Sequence, residues 1–274
     1  MMLRSRSRNR PFHLGPFPLE TLPRDDTVTA VEAEARPRPL PARQAPTRGL
    51  EGVADRYREI LAEFVEGESA PAVAPVGDDL ERRAADIKGL AYFMDAAQVG
   101  ICRIPDNAWL EGSERSAHGI AIVLLIEDGR IPDADNLARE WVEPAVRAVS
   151  DMRAAEIAAV VAGHIRHMGF SARAHIEGHE FLDARRLAVL AGLGVRNGEH
   201  VVNPYVQHFS LAVVATDYAL ASDRPLHANA LKARGLRYWW GIDGAQSGRE
   251  RARRAHRPSH GSRYPMETVR RVDR

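Results

Sequence analysis

Gly119-Ile-Ala-Ile-Val-Leu-Leu-Ile126 is the stretch on which the fold turns. A strand with one wet face alternates apolar and polar residues. An unbroken apolar run predicts a strand covered on both faces. The run is far too short for a membrane span, which takes about 20 residues. We therefore place a buried strand over 118–127, closed by the turn Asp128-Gly129.

Downstream of it, Asp133 is positioned to cap a helix through Leu137, Trp141 and Val146, with Pro144 bending or dividing it. A helix over 151–168 carries Ile157, Val160, Val161, Ile165 and Met168 on one face and stops at Gly169. Then follow a short strand at 171–176, a helix at 181–191 stopped by Gly192 and Gly194, and strands at 200–203 and 207–216. Upstream, a strand over 98–104 is halted by Pro105-Asp106-Asn107. A helix capped by Asp78 runs through Leu80, Ala84, Ile87, Leu90, Ala91 and Met94. Before it, Leu50, Val53, Tyr57, Ile60, Leu61 and Phe64 repeat at three and four, the period of an amphipathic helix, and Gly67 ends it. Helices and strands mix without regular β-α-β alternation, which argues for an α+β fold or a three-layer sandwich over a doubly wound sheet.

Eight of the 17 prolines fall before residue 50. Residues 1–48 read as a Pro/Arg-rich extended arm, and Ala35-Arg-Pro-Arg-Pro-Leu-Pro-Ala42 is unable to form a helix. The folded domain is expected over 49–245 and a basic tail over 246–274. Within the tail, Arg249 to Arg257 is most simply a solvated linker. The Tyr238-Trp-Trp-Gly241 cluster ahead of it suits packing or docking of a neighbouring module. The two ends echo one another. Slid along the chain, Arg10 to Asp26 lies over Arg257 to Asp273, with eight identical residues including the ordered Pro-x-Glu-Thr core. This is the pattern of a tandem in which a second copy's arm begins where the first module ends.

Lys and Arg number 38 against 37 Asp and Glu, a balance that gives no support for nucleic-acid binding. Cys102 is the single cysteine. A disulfide needs two and a [4Fe–4S] cluster normally needs four thiolates, so neither forms within this chain. Nor does a cysteine-based structural zinc site. The basic N-terminus leads into proline with no apolar signal region and no twin arginine, which reads as a cytoplasmic protein with no membrane partner.

Gly192-Leu-Gly-Val-Arg-Asn-Gly198 superficially suggests a dinucleotide loop but follows a helix where the fingerprint must follow a strand. It reads as a helix cap plus turn, or as a tight loop approaching another ligand. His164 with His167, and His175 with His179, have metal-pair spacing but no fixed third ligand, and no metal is assigned. Asn203-Pro-Tyr-Val-Gln-His208 sets polar groups between two apolar strands, where a Tyr or His could donate protons or simply form a turn.

Leu187-Ala-Val-Leu-Ala-Gly-Leu-Gly-Val-Arg-Asn-Gly198, Val202-Asn-Pro204 and Leu211-Ala-Val-Val-Ala-Thr-Asp217 together resemble the cobalamin-pocket segment of reductive dehalogenases and the related epoxyqueuosine reductases. The likeness extends over about residues 80–226. It implies a nitroreductase-like three-layer sandwich with a mixed sheet flanked by helices, holding base-off cobalamin. On this resemblance Gly192, Gly194, Arg196, Asn197, Gly198, Asn203 and Thr216 are the candidate cofactor-binding residues. The family's loop is shortened here, since Val195 directly precedes Arg196. Tyr205 to Ser210 lacks the Gly and Arg that usually lead into the strand. The family's cysteine-rich domain is missing. The reading that follows is a degenerate N-terminal module, without catalytic residues of its own, that serves as scaffold or docking partner for a catalytic cobalamin and iron–sulfur module. The alternative is a cobalamin-binding chain acting on halogenated aromatics, with Tyr205 as proton donor and electrons from a separate iron–sulfur protein.

Overall fold

The buried strand is β2, Ile120–Glu127, and its neighbours explain its composition. In the computed structural model, which describes residue 19, 22–41 and 48–231, four strands form one sheet in the order β1-β2-β6-β3. β1 is Gln98–Arg103, β3 is Ala172–His175 and β6 is Phe209–Thr216. Side chains alternate across it with the period of two that a pleated strand imposes. Ile122, Leu124 and Ile126 face one core together with Ala212 and Val214 of β6. Ala121, Val123 and Leu125 face the other together with Val213 and Ala215. All are fully buried, so the expected α+β architecture with both faces covered is what forms. Burying each of the larger side chains contributes about 1.5–3 kcal/mol.

Every pairing in this sheet is antiparallel, which corrects the mixed sheet expected from the sequence. β2 and β3 do point the same way, joined through helices as a parallel crossover would be. The two never pair, because β6 lies antiparallel between them.

The first face is covered by α3 (Leu80–Phe93) and the long α5 (Val146–His167), and α2 (Gly49–Leu61) packs on α5. α5 meets the sheet through Ala154, Ala155, Ile157, Ala158, Val161, Ala162 and Ile165, and its alanines allow close approach. It starts five residues before the expected 151. Pro144 sits in a 3-10 turn, Glu143–Ala145, that joins α5 to the one-turn α4, Arg139–Val142. Asp133 caps no helix; its carbonyl accepts from Asn136 N in a turn. The cap of α3 is Asp79 and not Asp78: its carboxylate accepts from the N–H groups of Glu81 and Arg82.

The second face is covered by α6, Ala184–Leu190, the loop after it, and part of the arm. The arm is not wholly extended. It contains α1, Thr27–Glu34, while the proline run after it is free of helix through residue 41. Leu19 and Leu22 enter the second core. The compact unit that holds both cores ends at Leu231. The boundary expected at 245, the aromatic cluster 238–241, the basic tail 246–274 and most of the echoing segments lie outside the described residues.

Candidate functional site

The candidate residues 192–203 form one continuous feature, and its geometry follows from its glycines. Asp183 caps α6, accepting from Arg185 N and Arg186 N. At the other end Gly192 turns left-handed, with φ +68°. Gly192 N donates to Val189 O and Leu193 N to Ala188 O, the paired bonds of a Schellman ending. The chain then makes a short hairpin that the sequence reading missed as a strand pair. β4, Val195–Asn197, is antiparallel to β5, His200–Val202. Gly198, at φ +59°, opens its two-residue turn. The loop is thus a helix ending followed by a hairpin.

Its polar groups are spent on the chain itself. Arg196 makes a two-pronged ion pair with Glu32 of α1, at 2.9 and 2.6 Å. Burial leaves Glu32 4% exposed, and Arg186, 2% exposed, lies 3.7 Å from the same carboxylate. Arg186 also donates to the carbonyls of Asn107 and Arg36. Asn107 in turn donates through Nδ2 to the carbonyls of Glu32, Ala33 and Ala35, capping the end of α1. The Glu32 hydrogen bonds raise the Arg196 guanidinium above its ordinary value. Asn203 is fully buried. Its Nδ2 donates to Leu193 O at 2.6 Å and to Gln98 Oε1, and its Oδ1 accepts from Tyr205 N and Val206 N. Thr216 stands apart at the far end of β6, where its hydroxyl donates to Ser171 O and accepts from Tyr218 N. Asn197 and Gly198 are exposed at the hairpin tip, and Tyr205 is half-buried after the Asn203 turn.

The fit to a large cofactor can be tested at the glycines. A Cβ on Gly192 would strike the Arg24 guanidinium and Arg224 O; one on Gly194 would strike Val201 and, at 2.9 Å, Val202 O. Arg24 is held there by its own bonds to Gly192 O at 3.2 Å and Arg224 O at 2.7 Å. The close approaches these glycines allow are taken by the chain's own groups. Only Gly198 has open space beside it. In this arrangement Gly192 and Gly194 therefore offer a cofactor no close backbone approach.

Beside the hairpin lies a cleft of about 200 Å³, lined by Arg147, Arg185, His200, His208 and Phe209 among others, and by none of the candidate cofactor residues. Arg147 is held by Asp151 at 3.2 Å and Phe209 O at 2.6 Å. Burial first, then the charge of Arg38, lowers the Arg185 guanidinium. The histidine pairs do not converge. His164 and His167 are exposed on α5, His179 Nε2 meets Glu59 at 3.1 Å, and His175 is buried between Trp109 and Phe181. Phe181 N donates to His175 Nδ1, which leaves the neutral ring's proton on Nε2. Burial, reinforced by Arg173 and His118, drives its pKa down to about 3. Among the described residues no group of three or more His, Cys, Asp and Glu is arranged to hold a metal ion. Burial pushes the Cys102 thiol up, and its Sγ contacts Leu187 O. No described helix is long and apolar enough to cross a membrane.

The resemblance read from residues 187–217 is borne out by solved structures, among them reductive dehalogenases. The catabolic reductive dehalogenase NpRdhA, N-terminally tagged, is 40% identical over all of this chain, with a TM-score of 0.71. A second structure, described as suggesting a mechanism for B12-dependent dehalogenation, is 41% identical over the same span with the same TM-score. NpRdhA in complex with 3-bromo-4-hydroxybenzoic acid is 41% identical, with a TM-score of 0.70. The chain spans only 38–39% of these proteins. Epoxyqueuosine reductase from Bacillus subtilis is more distant, 13% identical over 54% of this chain with a TM-score of 0.37. No family model and no curated protein matches the chain. In sequence and in fold, then, this is a reductive-dehalogenase-like segment, comparable to part of those enzymes.

Proposed function

We propose that this chain is a non-catalytic, cytoplasmic module of a reductive dehalogenase system. It keeps the dehalogenase fold and serves as scaffold or docking partner for a module that carries cobalamin and iron–sulfur clusters. The observation that carries this reading is the filling of the candidate loop from within. Arg24 lies over Gly192, Glu32 holds Arg196, and Asn203 is saturated by main-chain and Gln98 partners. A pocket used for a bulky ligand keeps close backbone approach and convergent polar groups available. Here Gly192 and Arg196 seat the arm, and Asn203 is spent within the fold. The echo of the arm near residue 257 supports a tandem arrangement in which the working module follows.

The test is an anaerobic titration of the chain with cobalamin, followed in the visible spectrum, with circular dichroism to verify folding. A folded protein that leaves the cobalamin spectrum unchanged is the expected result. Tight binding with a base-off spectrum would overturn the reading. It would make the chain a cobalamin-binding part of a dehalogenase, with Tyr205 the first proton donor to substitute and a separate iron–sulfur protein as electron source.

A further inference from the structure

α2 is turned the unexpected way. Leu50, Val53, Tyr57 and Ile60 of α2, with Phe64 of the 3-10 turn Ala62–Phe64 that continues it and also carries Glu63, follow the spacing of a core-facing stripe, yet they are between 37% (Leu50) and 58% (Tyr57) exposed. The helix packs on α5, and its one fully buried residue is Ala54. Leu61 is partly buried against the first core. Arg58 turns back to Asp55 on the same helix, 2.8 Å away. Trp141 is 58% exposed on α4, an element that touches α2. Monomeric proteins rarely leave so ordered an apolar stripe in water.

The stripe alone does not say what covers it; the charges beside it do. With Leu50, Tyr57 and Phe64 at one seam position of a heptad and Val53 and Ile60 at the other, Arg56 and Glu63 occupy the same flanking position one heptad apart. Both are exposed. In an antiparallel pair that flank faces its own counterpart, so each Arg56 meets a Glu63 across the seam. In a parallel pair it would face the opposite flank, Ala54 and Leu61, which already packs on its own domain. Only the antiparallel arrangement matches both charges, and a self-complementary patch is what a two-fold interface requires.

We propose that α2 is a self-association face, pairing antiparallel with α2 of a second copy across a two-fold axis. Tyr57 packs against the partner's Ile60, Val53 against the partner's Phe64, and two Arg56–Glu63 ion pairs flank the seam. This goes beyond the scaffold reading and holds whether or not cobalamin binds.

Sedimentation of the full chain over a dilution series tests it. The expected result is a reversible dimer at micromolar concentrations. Arg56→Glu and Glu63→Arg each weaken it by about 10–100-fold through like-charge juxtaposition, and the double charge swap restores it to within a few-fold. Ile60→Asp gives monomer. All three positions are exposed, so circular dichroism is expected to stay unchanged. A wild-type chain that remains monomeric at about 100 μM, a dimer that ignores both single charge reversals, or a double variant as weak as the singles would each overturn the proposal. A monomer that binds a catalytic dehalogenase module through Ile60 would likewise overturn it, and would assign the face to the docking reading instead.

Discussion

The two faces of the sheet are built on different principles. The first is closed by regular helices whose apolar residues meet apolar strand residues, and its buried charges, Lys88 and Arg166 among them, sit on ready partners. Lys88 reaches Asp223 at 2.6 Å, and Arg166 donates to the carbonyls of Phe64, Val65 and Ala172. The second is closed by a seven-residue helix, a hairpin and an arm, fastened by a buried carboxylate, two arginines and an asparagine. Apolar packing tolerates small errors by local collapse. A buried ion network fails sharply when one member is removed, because the others stay desolvated.

The sharpest break of that contrast is Glu32→Ala. It leaves Arg186, whose side chain is 3% exposed, without its carboxylate. The expected cost is about 3–5 kcal/mol in urea unfolding, with new proteolytic cleavage confined to 27–41. Ile165→Ala probes the opposite face, where it opens a cavity under α5. It should cost about 2–4 kcal/mol and create no new cleavage site in the arm.

A pH titration of stability sharpens the comparison further, because His175 belongs to the second face. Its folded pKa of about 3 lies below the ordinary 6.5, so the unfolded chain binds the extra proton between those values. Stability therefore falls as pH drops from 6.5 toward 3, by at most about 1.4 kcal/mol per pH unit from this group. Replacing it by the similarly shaped His175→Gln should flatten that slope. Glu177 and Glu180, raised by burial, act in the opposite sense just above pH 4.5 and are unaffected by the substitution. The smallest effect is expected at Asp79→Ala on the first face, about 1 kcal/mol of thermal stability from the lost α3 cap.

What was legible in the sequence divides along the same line. The unbroken apolarity of 119–126 announced a strand covered on both sides, and the helices packed on the first face followed from their period of three and four. Periodicity did not say which way α2 faces, since orientation depends on what α5 offers it. Nor did it forecast β6 slipping between β2 and β3. On the second face almost nothing was periodic. α1 has no side-chain cap at Asp26 and little apolar patterning; it is held by Asn107 and by Glu32, residues far apart in sequence. The reading of 192–198 as a helix ending plus turn describes what forms. The hairpin strands are three residues long, too short to show alternation. The groups that fill the loop, Arg24, Glu32 and Arg224, carry no mark in a linear sequence.

One small contact has consequences for how such a module is strung together. Arg24 bridges Leu226 antiparallel, Asp25 N donates to Pro225 O, His227 N donates to Pro23 O, and Arg224 pairs with Asp26 at 2.6 Å. The incoming and outgoing segments of the fold are thus sewn side by side. A chain laid out this way is a closed loop in all but covalent linkage: cutting it elsewhere at an exposed turn and joining the ends would preserve both cores. Tension applied through those ends would unzip this seam before it loaded the sheet.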